Sequence, residues 1–283
     1  MKPAPFAYIR AESVEHALET LREHGDGAKP LAGGQSLVPA LNMRLARPSV
    51  LVDLNRVAGL DGIAEEDGAL RIGALARQAA AERSPLVRDR CPLLAECLPF
   101  VGHFATRNRG TVAGSIAHAD AAAELPLALV ALGGAVVTSR RTIAAEEFFV
   151  THYTTALEPD ELVVATTWPR VREGEGWAFE EFTLRHGDFA VAAAACLLRV
   201  EDGRLAEARL VVGAVTDRPE LLEAQSLVGE SDESEVAHAA GALAAAAVEP
   251  PPNLHASPEY RRRLVAVLVE RAVVRAWSRA VGA

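Results

Sequence analysis

The stretch that most limits the possible folds is Leu31-Ala32-Gly33-Gly34-Gln35-Ser36-Leu37. Lys29–Leu31 reads as a strand, and residues 37–45 carry apolar side chains at 37, 38, 41 and 45, the spacing of a short helix. Pro48 ends that helix, and Val50–Leu54 reads as a buried strand. Two strands joined through a helix require a sheet with the helix on one face, and the paired glycines lie where the first strand turns into it. Glycine accepts φ > 0 and bares the main chain, while a helix start supplies N–H groups with no partner of their own. The turn is therefore either a plain corner or an anion cradle, to which Ser36 adds a hydroxyl and Gln35 an amide.

Composition removes several classes. Half of the 283 residues are hydrophobic, enough for a large core, and with aromatics at 5% that core must be built from Ala, Leu and Val. A net charge of −9 argues against a nucleic-acid surface. Three cysteines, Cys91, Cys97 and Cys196, make no disulfide framework and are too few for a four-thiolate iron–sulfur site. Cys91 and Cys97 read as helix-facing hydrophobes. Neither HExxH nor CxxC occurs, so no metal site is expected. The start, MKPAPFAYIRAESVEH, carries no apolar signal region, and no apolar run approaches the roughly 20 residues of a membrane span; a cytoplasmic location is the expectation.

Along the chain, Ser13 caps a helix with Val14, Ala17, Leu18 and Leu21 on one face, ended by Gly25. The segment 1–55 forms a small β-α-β unit. Residues 56–172 form a second, larger α+β unit. It opens with the turn signals Asp61-Gly62 and Asp67-Gly68 and the strand Ala69–Ile72, and continues with helices near 93–98 and 125–132. Between those helices runs a glycine-bearing loop, Gly102 to Gly114, and strands follow at Ala135–Thr138 and Glu161–Trp168. The charged linker RVREGEG, 170–176, leads to a third unit, 177–283. There three strands, Trp177–Arg185, Val191–Val200 and Arg204–Val215, are joined at Gly187-Asp188 and Asp202-Gly203, and two helices follow, Asp232–Val248 and Ser257–Val281. Arg261-Arg262-Arg263 reads as the wet face of the last helix, with Leu264 and Leu268 turned inwards.

The second loop changes the meaning of the first turn. TRNRGTVAGSIAHAD, 106–120, is polar and rich in small residues, with hydroxyls at Thr111 and Ser115 and close-approach positions at Gly110 and Gly114. Two such loops from separate segments suit the two phosphates of one dinucleotide. Neither G-x-G-x-x-G nor G-x-x-x-x-G-K-[ST] occurs, which speaks against a Rossmann or P-loop site. His118 and Asp120 form no nucleophile–base set and read as local hydrogen bonding.

AGGQSL (32–37) together with TRNRGTVAGSIAHADAAAELP (106–126) resembles the FAD-binding medium subunit of molybdenum hydroxylases, the family of aerobic carbon monoxide dehydrogenase and the xanthine dehydrogenases. LNMRLARPSVLVDLN (41–55) and RHGDFAVAAAA (185–195) agree in kind and order, so the resemblance spans the chain. It implies an α+β fold. A two-part FAD-binding region of PCMH type, shared with vanillyl-alcohol oxidase, precedes a C-terminal antiparallel three-stranded sheet with a helical bundle. It implies non-covalent FAD, held by Ala32, Gly33, Gly34, Gln35 and Ser36 in one loop and Thr111, Val112, Ala113, Gly114 and Ser115 in the other. The second loop of the family usually has two consecutive glycines, and here the first is Ala113, which a negative φ would tolerate. Glu124 matches an acidic residue near the flavin, Phe189 an apolar position near the isoalloxazine ring, and Val163 a backbone contact. Glu180-Glu181 stand where some members have a lysine, so no basic flavin contact carries over.

The resemblance also implies partners: a small subunit with [2Fe–2S] clusters and a large molybdopterin subunit, assembled as a dimer of heterotrimers. Electrons would pass from the clusters to the flavin and on to a small-molecule acceptor such as NAD, a quinone or oxygen. No catalytic residue for the organic substrate is expected on this chain. Two rival readings are a self-contained flavin oxidase or dehydrogenase and a scaffold relative that has lost FAD.

Overall fold

The computed structural model describes residues 2–252 and 254–282. In chain order the first elements are β1 (Ala7–Arg10), α1 (Val14–His24), β2 (Ala28–Leu31), α2 (Leu37–Asn42) and β3 (Val50–Asp53). Ser13 Oγ accepts from His16 N and caps α1, and Gly25, at φ 50°, ends it. The three strands form a parallel sheet in the order β1-β3-β2. Central β3 (VLVD) is buried at every position, as a strand flanked on both edges requires. Strand β1 carries no apolar alternation, and its positions are exposed or half-buried, which hides it from a reading by periodicity.

Next come β4 (Ile63–Glu66), β5 (Ala69–Gly73), α3 (Gln78–Arg83), α4 (Pro85–Arg90), α5 (Pro92–Cys97), α6 (Phe104–Arg109), α7 (Val112–His118) and α8 (Glu124–Ala131). They are followed by β6 (Ala135–Thr138), β7 (Thr142–Ala144), α9 (Ala145–Phe148), the small hairpin β8 (Phe149–Thr151) with β9 (Thr154–Thr155), and β10 (Val163–Pro169). The sheet order β4-β5-β10-β6-β7 is antiparallel throughout. The span 102–114, expected as loop, holds α6 and the start of α7. Cys91, Cys97 and Cys196 are buried free thiols; burial pushes Cys91 up to about 12 and Cys97 well above the usual thiol range.

The last elements are β11 (Glu175–Phe182), β12 (Ala192–Glu201), β13 (Arg204–Gly213), the short β14 (Glu220–Leu221), α10 (Glu233–Ala247) and α11 (Pro258–Gly282). The antiparallel order β11-β12-β13-β14 adds a fourth, two-residue strand to the three expected. Strand β12 is covered on both faces, which explains its run of alanines. Ala193 and Ala195 join the core that includes α8, while Ala192, Ala194 and Cys196 join the core beneath α10 and α11. Glu96 on α5 clasps this part to the preceding one by accepting from Arg275 and Arg279 of α11 and from Phe179 N. Arg261 departs from the wet-face expectation: it is 4% exposed and donates to the carbonyls of Val191, Pro251 and Ala214. The Val191 and Ala214 bonds are buried and need a donor there, and a long guanidinium reaches both and Pro251 as well.

Candidate functional site

Gly34 has φ 71°, so the turn after β2 needs glycine there on conformational grounds. Gly33 is required for a different reason. A Cβ on it would lie 2.5 Å from the Arg109 carbonyl oxygen and 2.7 Å from Gly110 Cα. The turn and the second loop therefore touch, backbone to backbone, at this residue. Gln35 folds back, its Nε2 donating to Gly33 O at 3.1 Å, and Ser36 is exposed at the start of α2 with no cap bond from its side chain. The N–H groups of Gly33, Gly34, Gln35 and Ser36 find no acceptor among the described residues, so four main-chain donors are left open on one short arc.

The arc faces a cleft of about 650 Å³ lined by Tyr8, Leu31 to Gln35, Val38, Pro39, Asp53, Asn55, Arg77 and Arg109. That size suits a small-molecule site, for which roughly 300–1,000 Å³ is usual.

The second loop is built differently. Thr111 is the N-cap of α7, and its Oγ1 accepts from Gly114 N at 3.0 Å. Val112 N donates to Ala76 O at 3.0 Å and Ser115 N to Thr111 O at 3.2 Å, so most of this loop's amides are already committed. Val112 and Ala113 are buried and belong to the main core. Ala113 lies within α7 and outside the left-handed region, so its methyl group meets no backbone objection. Residues 76–78 run antiparallel to 110–112, with Arg77 opposite Thr111. Gly110 lies against Gln78, where a Cβ would be 2.5 Å from Oε1.

Reading by motif missed a network that joins the two segments across the cleft. Tyr8 OH donates to Asp53 Oδ2. Asn55 Nδ2 donates to Asp53 Oδ1 at 2.6 Å and to Ala32 O at 2.9 Å. Arg77 donates to Asn55 Oδ1 at 2.6 Å and to the Arg109 carbonyl. Burial opposes charge on Asp53, but its hydrogen bonds from Tyr8 and Asn55 win and hold it below the usual carboxylate range. Arg77 is lowered by burial and by the neighbouring Arg109. These residues are scattered through the chain, and no spacing rule links them.

The remaining expected residues fall elsewhere, and none of them lines this cleft. Glu124 opens α8 and is 8% exposed; burial pushes its carboxyl up to about 7, so desolvation outweighs its favourable place at a helix start. Glu181 is pushed up to about 8 by burial and by Glu124, and its Oε2 has no hydrogen-bond partner. Val163 begins β10, is 9% exposed and sits beside a register shift against β6. Phe189 is 71% exposed and so is not a core residue. Its loop is brought against His103, where a Cβ on Gly187 would lie 2.6 Å from the His103 ring. Asp120 accepts from Ala122 N at 2.9 Å and from Tyr153 OH at 3.2 Å, and His118 stacks on Tyr153, local contacts of the kind the sequence suggests.

This arrangement sets open amides opposite arginines across a cleft between two segments, the donors and charge that a phosphate-bearing ligand needs. Comparison with known proteins then gives the family. Residues 4–171 match the model described as the FAD binding domain in molybdopterin dehydrogenase, and residues 177–276 the CO dehydrogenase flavoprotein C-terminal domain. The chain is 43% identical, over 99% of its length and 97% of the relative's, to the 6-hydroxypseudooxynicotine dehydrogenase complex subunit alpha of Paenarthrobacter nicotinovorans. It is 34% identical to the carbon monoxide dehydrogenase medium chain of Hydrogenophaga pseudoflava over 99% of both. The solved carbon monoxide dehydrogenase of that organism, in a form lacking the Mo-pyranopterin moiety, superposes with a TM-score of 0.96 at 35% identity, covering 99% of both chains. Quinoline 2-oxidoreductase from Pseudomonas putida 86 superposes at 0.94 with the same identity, over 99% of both. The chain belongs to the family of FAD-carrying medium subunits of molybdenum hydroxylases, oxidoreductases that work as multi-subunit complexes.

Proposed function

We propose that this chain holds FAD non-covalently and serves as the electron-exit subunit of a cytoplasmic molybdenum hydroxylase. Electrons would enter from [2Fe–2S] clusters on a small partner subunit, with molybdopterin on a large one, and leave to a small-molecule acceptor such as NAD, a quinone or oxygen. FAD, when bound, supplies two-electron and one-electron redox chemistry; the chain binds it, orients it and sets its surroundings. The observation that carries this reading is the arc of four open amides at Gly33–Ser36 against the cleft. Neutral donors fixed by the fold suit a cofactor that stays bound, because little is reordered on binding.

In this reading Ala32–Ser36 hold one side of the diphosphate and Thr111–Ser115 position the other, with Ala113 contributing through helix packing. Glu124, Val163 and Phe189 are assigned to the ribityl and isoalloxazine end, Phe189 as the exposed ring. The segments 1–55, 56–172 and 177–283 serve as working domains, and the complex is a dimer of heterotrimers. No helix among the described residues is long and apolar enough to cross a membrane.

Gly34→Asp tests the first loop. It places a carboxylate in the arc at a φ that disfavours side chains, with its Cβ 3.1 Å from Val38 Cγ2. Purified variant should lose its flavin absorption while keeping its circular dichroism. Full flavin content in that variant would remove the first loop from the site. Co-purification of the native complex with iron and molybdenum checks the partners; a lone flavoprotein that a small organic substrate reduces directly would contradict them.

A further inference from the structure

The seam between the second segment and the C-terminal sheet holds two acids away from water. On β11, Glu180 pairs with Arg275 of α11, and Ala178 joins the core on that side. Phe179 joins the opposite core, which includes α5 and α8, so by alternation Glu181 faces that core too. Glu181 lies opposite Ala193 on β12, and Ala193 opposite Gly213 on β13. A Cβ on Gly213 would meet Leu127 Cδ1 at 3.1 Å and Ala121 O at 3.4 Å, on either side of Glu124, so this row runs beneath the start of α8. Glu124 opens α8 and is buried. Ala193 and Gly213 are small, and Glu181 is the one long side chain in the row. Its Oε2 is buried without a partner, and neither Glu124 nor Glu181 forms an ion pair among the described residues.

The elements packed around the pair offer no uncommitted cation among the described residues. On α5, Glu96 accepts from Arg275 and Arg279, and Cys97 is a buried thiol. On α6, Arg107 is held by Glu82 and three carbonyls. Between α7 and α8, Asp120 adds a further acid, bonded by Ala122 N and Tyr153 OH. Strand β12 presents alanines to this core, while His103 before α6 and Arg185, His186 and Asp188 in the loop after β11 are exposed. Burial raises both carboxyls, and the charge of Glu124 raises Glu181 further. Two ionised carboxylates in such a place are costly; one proton between them removes a charge and supplies an O–H donor.

We propose that Glu124 and Glu181 share one proton, and that this proton latches the C-terminal sheet onto α8. When it leaves to solvent past the half-buried Glu181, two carboxylates oppose each other and the seam loosens. Two amides report on the seam. Ala214 N donates to Ala121 O at 2.7 Å, joining the sheet to the segment before α8. Val191 N donates to Phe182 O at 2.8 Å, closing the loop that carries Phe189, so that loop follows the seam. The inference rests on the fold alone; the FAD reading adds only that the placement of Phe189 then depends on the proton.

The test compares the full-length chain, as purified, at about pH 6 and about pH 9. Infrared spectra should show the band of one protonated carboxyl per chain lost between the two. Hydrogen exchange, corrected for intrinsic rates, should show protection of the Val191 and Ala214 amides falling by about tenfold or more, with the β5–β10 pairing unchanged. Glu181→Gln keeps the size, adds a donor and has nothing to ionise there. It should lack the band loss and hold its protection at the higher pH. Glu124→Gln should do the same, because either change dissolves the shared site, whereas two independent acids would each leave the other's band. Glu147→Gln, on the exposed face of α9, serves as control. Should Glu181→Gln not fold, the wild-type spectra and Glu124→Gln still decide. No carboxyl band lost in the wild type, or a loss that the variants retain, would overturn the shared proton. A lost band with unchanged protection would overturn the latch. A wild-type chain that takes up no FAD would instead overturn the functional reading and leave the latch standing.

Discussion

The two walls of the cleft reach the same end by opposite means. The glycine turn is half-exposed and neutral, and its main-chain donors are unspent. The second loop looks like its counterpart in sequence, yet it is helical, largely buried, and bonded to itself and to residues 76–78. What that wall shows the cleft is arginine. The difference teaches that glycine and hydroxyl residues in a loop do not by themselves make a cradle. Their amides must also be left without partners, and Thr111 takes Gly114 N for its own helix cap. Two arginines two residues apart repeat the lesson: Arg107 is 9% exposed and fully bonded, Arg109 exposed and open.

The largest effect that sharpens this contrast is Arg107→Met. It strands Glu82 and three carbonyls, and breaking such a buried ion pair costs about 3–5 kcal/mol. Urea unfolding should register this, with FAD affinity per folded molecule little changed; the opposite pattern would exchange the roles of the two arginines. Gly33→Ala comes next, since its methyl group must push back the Arg109–Gly110 backbone. It should cost about 1–3 kcal/mol by overpacking and spread the jaws, so FAD retention falls as well.

Third is a pH effect away from the cleft. Burial holds Glu124 at about 7, and burial with Glu124's charge holds Glu181 at about 8, both above the unfolded value near 4.5. Stability from the neutral forms is therefore full below pH 4.5 and is lost as the pH rises through 7–8. Glu181→Gln should flatten the fall in unfolding free energy between pH 5 and 8.5, measured by urea unfolding, by on the order of 1–3 kcal/mol. An unchanged slope would show that Glu181 is ionised and solvated. The smallest effect is Ala113→Gly, which restores the family's usual residue. It should cost about 1 kcal/mol through helix propensity and leave FAD affinity within twofold. A marked gain in affinity would mean that the second loop's backbone does meet the ligand.

Much of the fold is legible because its signals are local. Ser13 and Gly25 bound α1, Ser257 caps α11 by accepting from Tyr260 N, and Asp202 and Gly203 turn β12 into β13. The wall formed by the glycine turn is legible for the same reason. Strand β1 is not, because an edge strand with exposed faces has no periodicity to read. Arg261 defeats the pattern because its three acceptors come from positions 191, 214 and 251, which only tertiary structure assembles. Tyr8, Asp53, Asn55, Arg77 and Arg109 escape likewise: no motif or spacing links them until the β1-β3-β2 sheet and the segment 76–78 bring them to one cleft.

Residue-resolved hydrogen exchange during FAD titration measures the contrast between the walls directly. In flavin-free protein the amides of Gly33, Gly34, Gln35 and Ser36 should exchange fast, and those of Val112, Gly114 and Ser115 slowly. FAD should slow the first group by at least tenfold and change the second little. Protection gained only at Val112–Ser115, with the glycine turn still exchanging freely, would contradict the account.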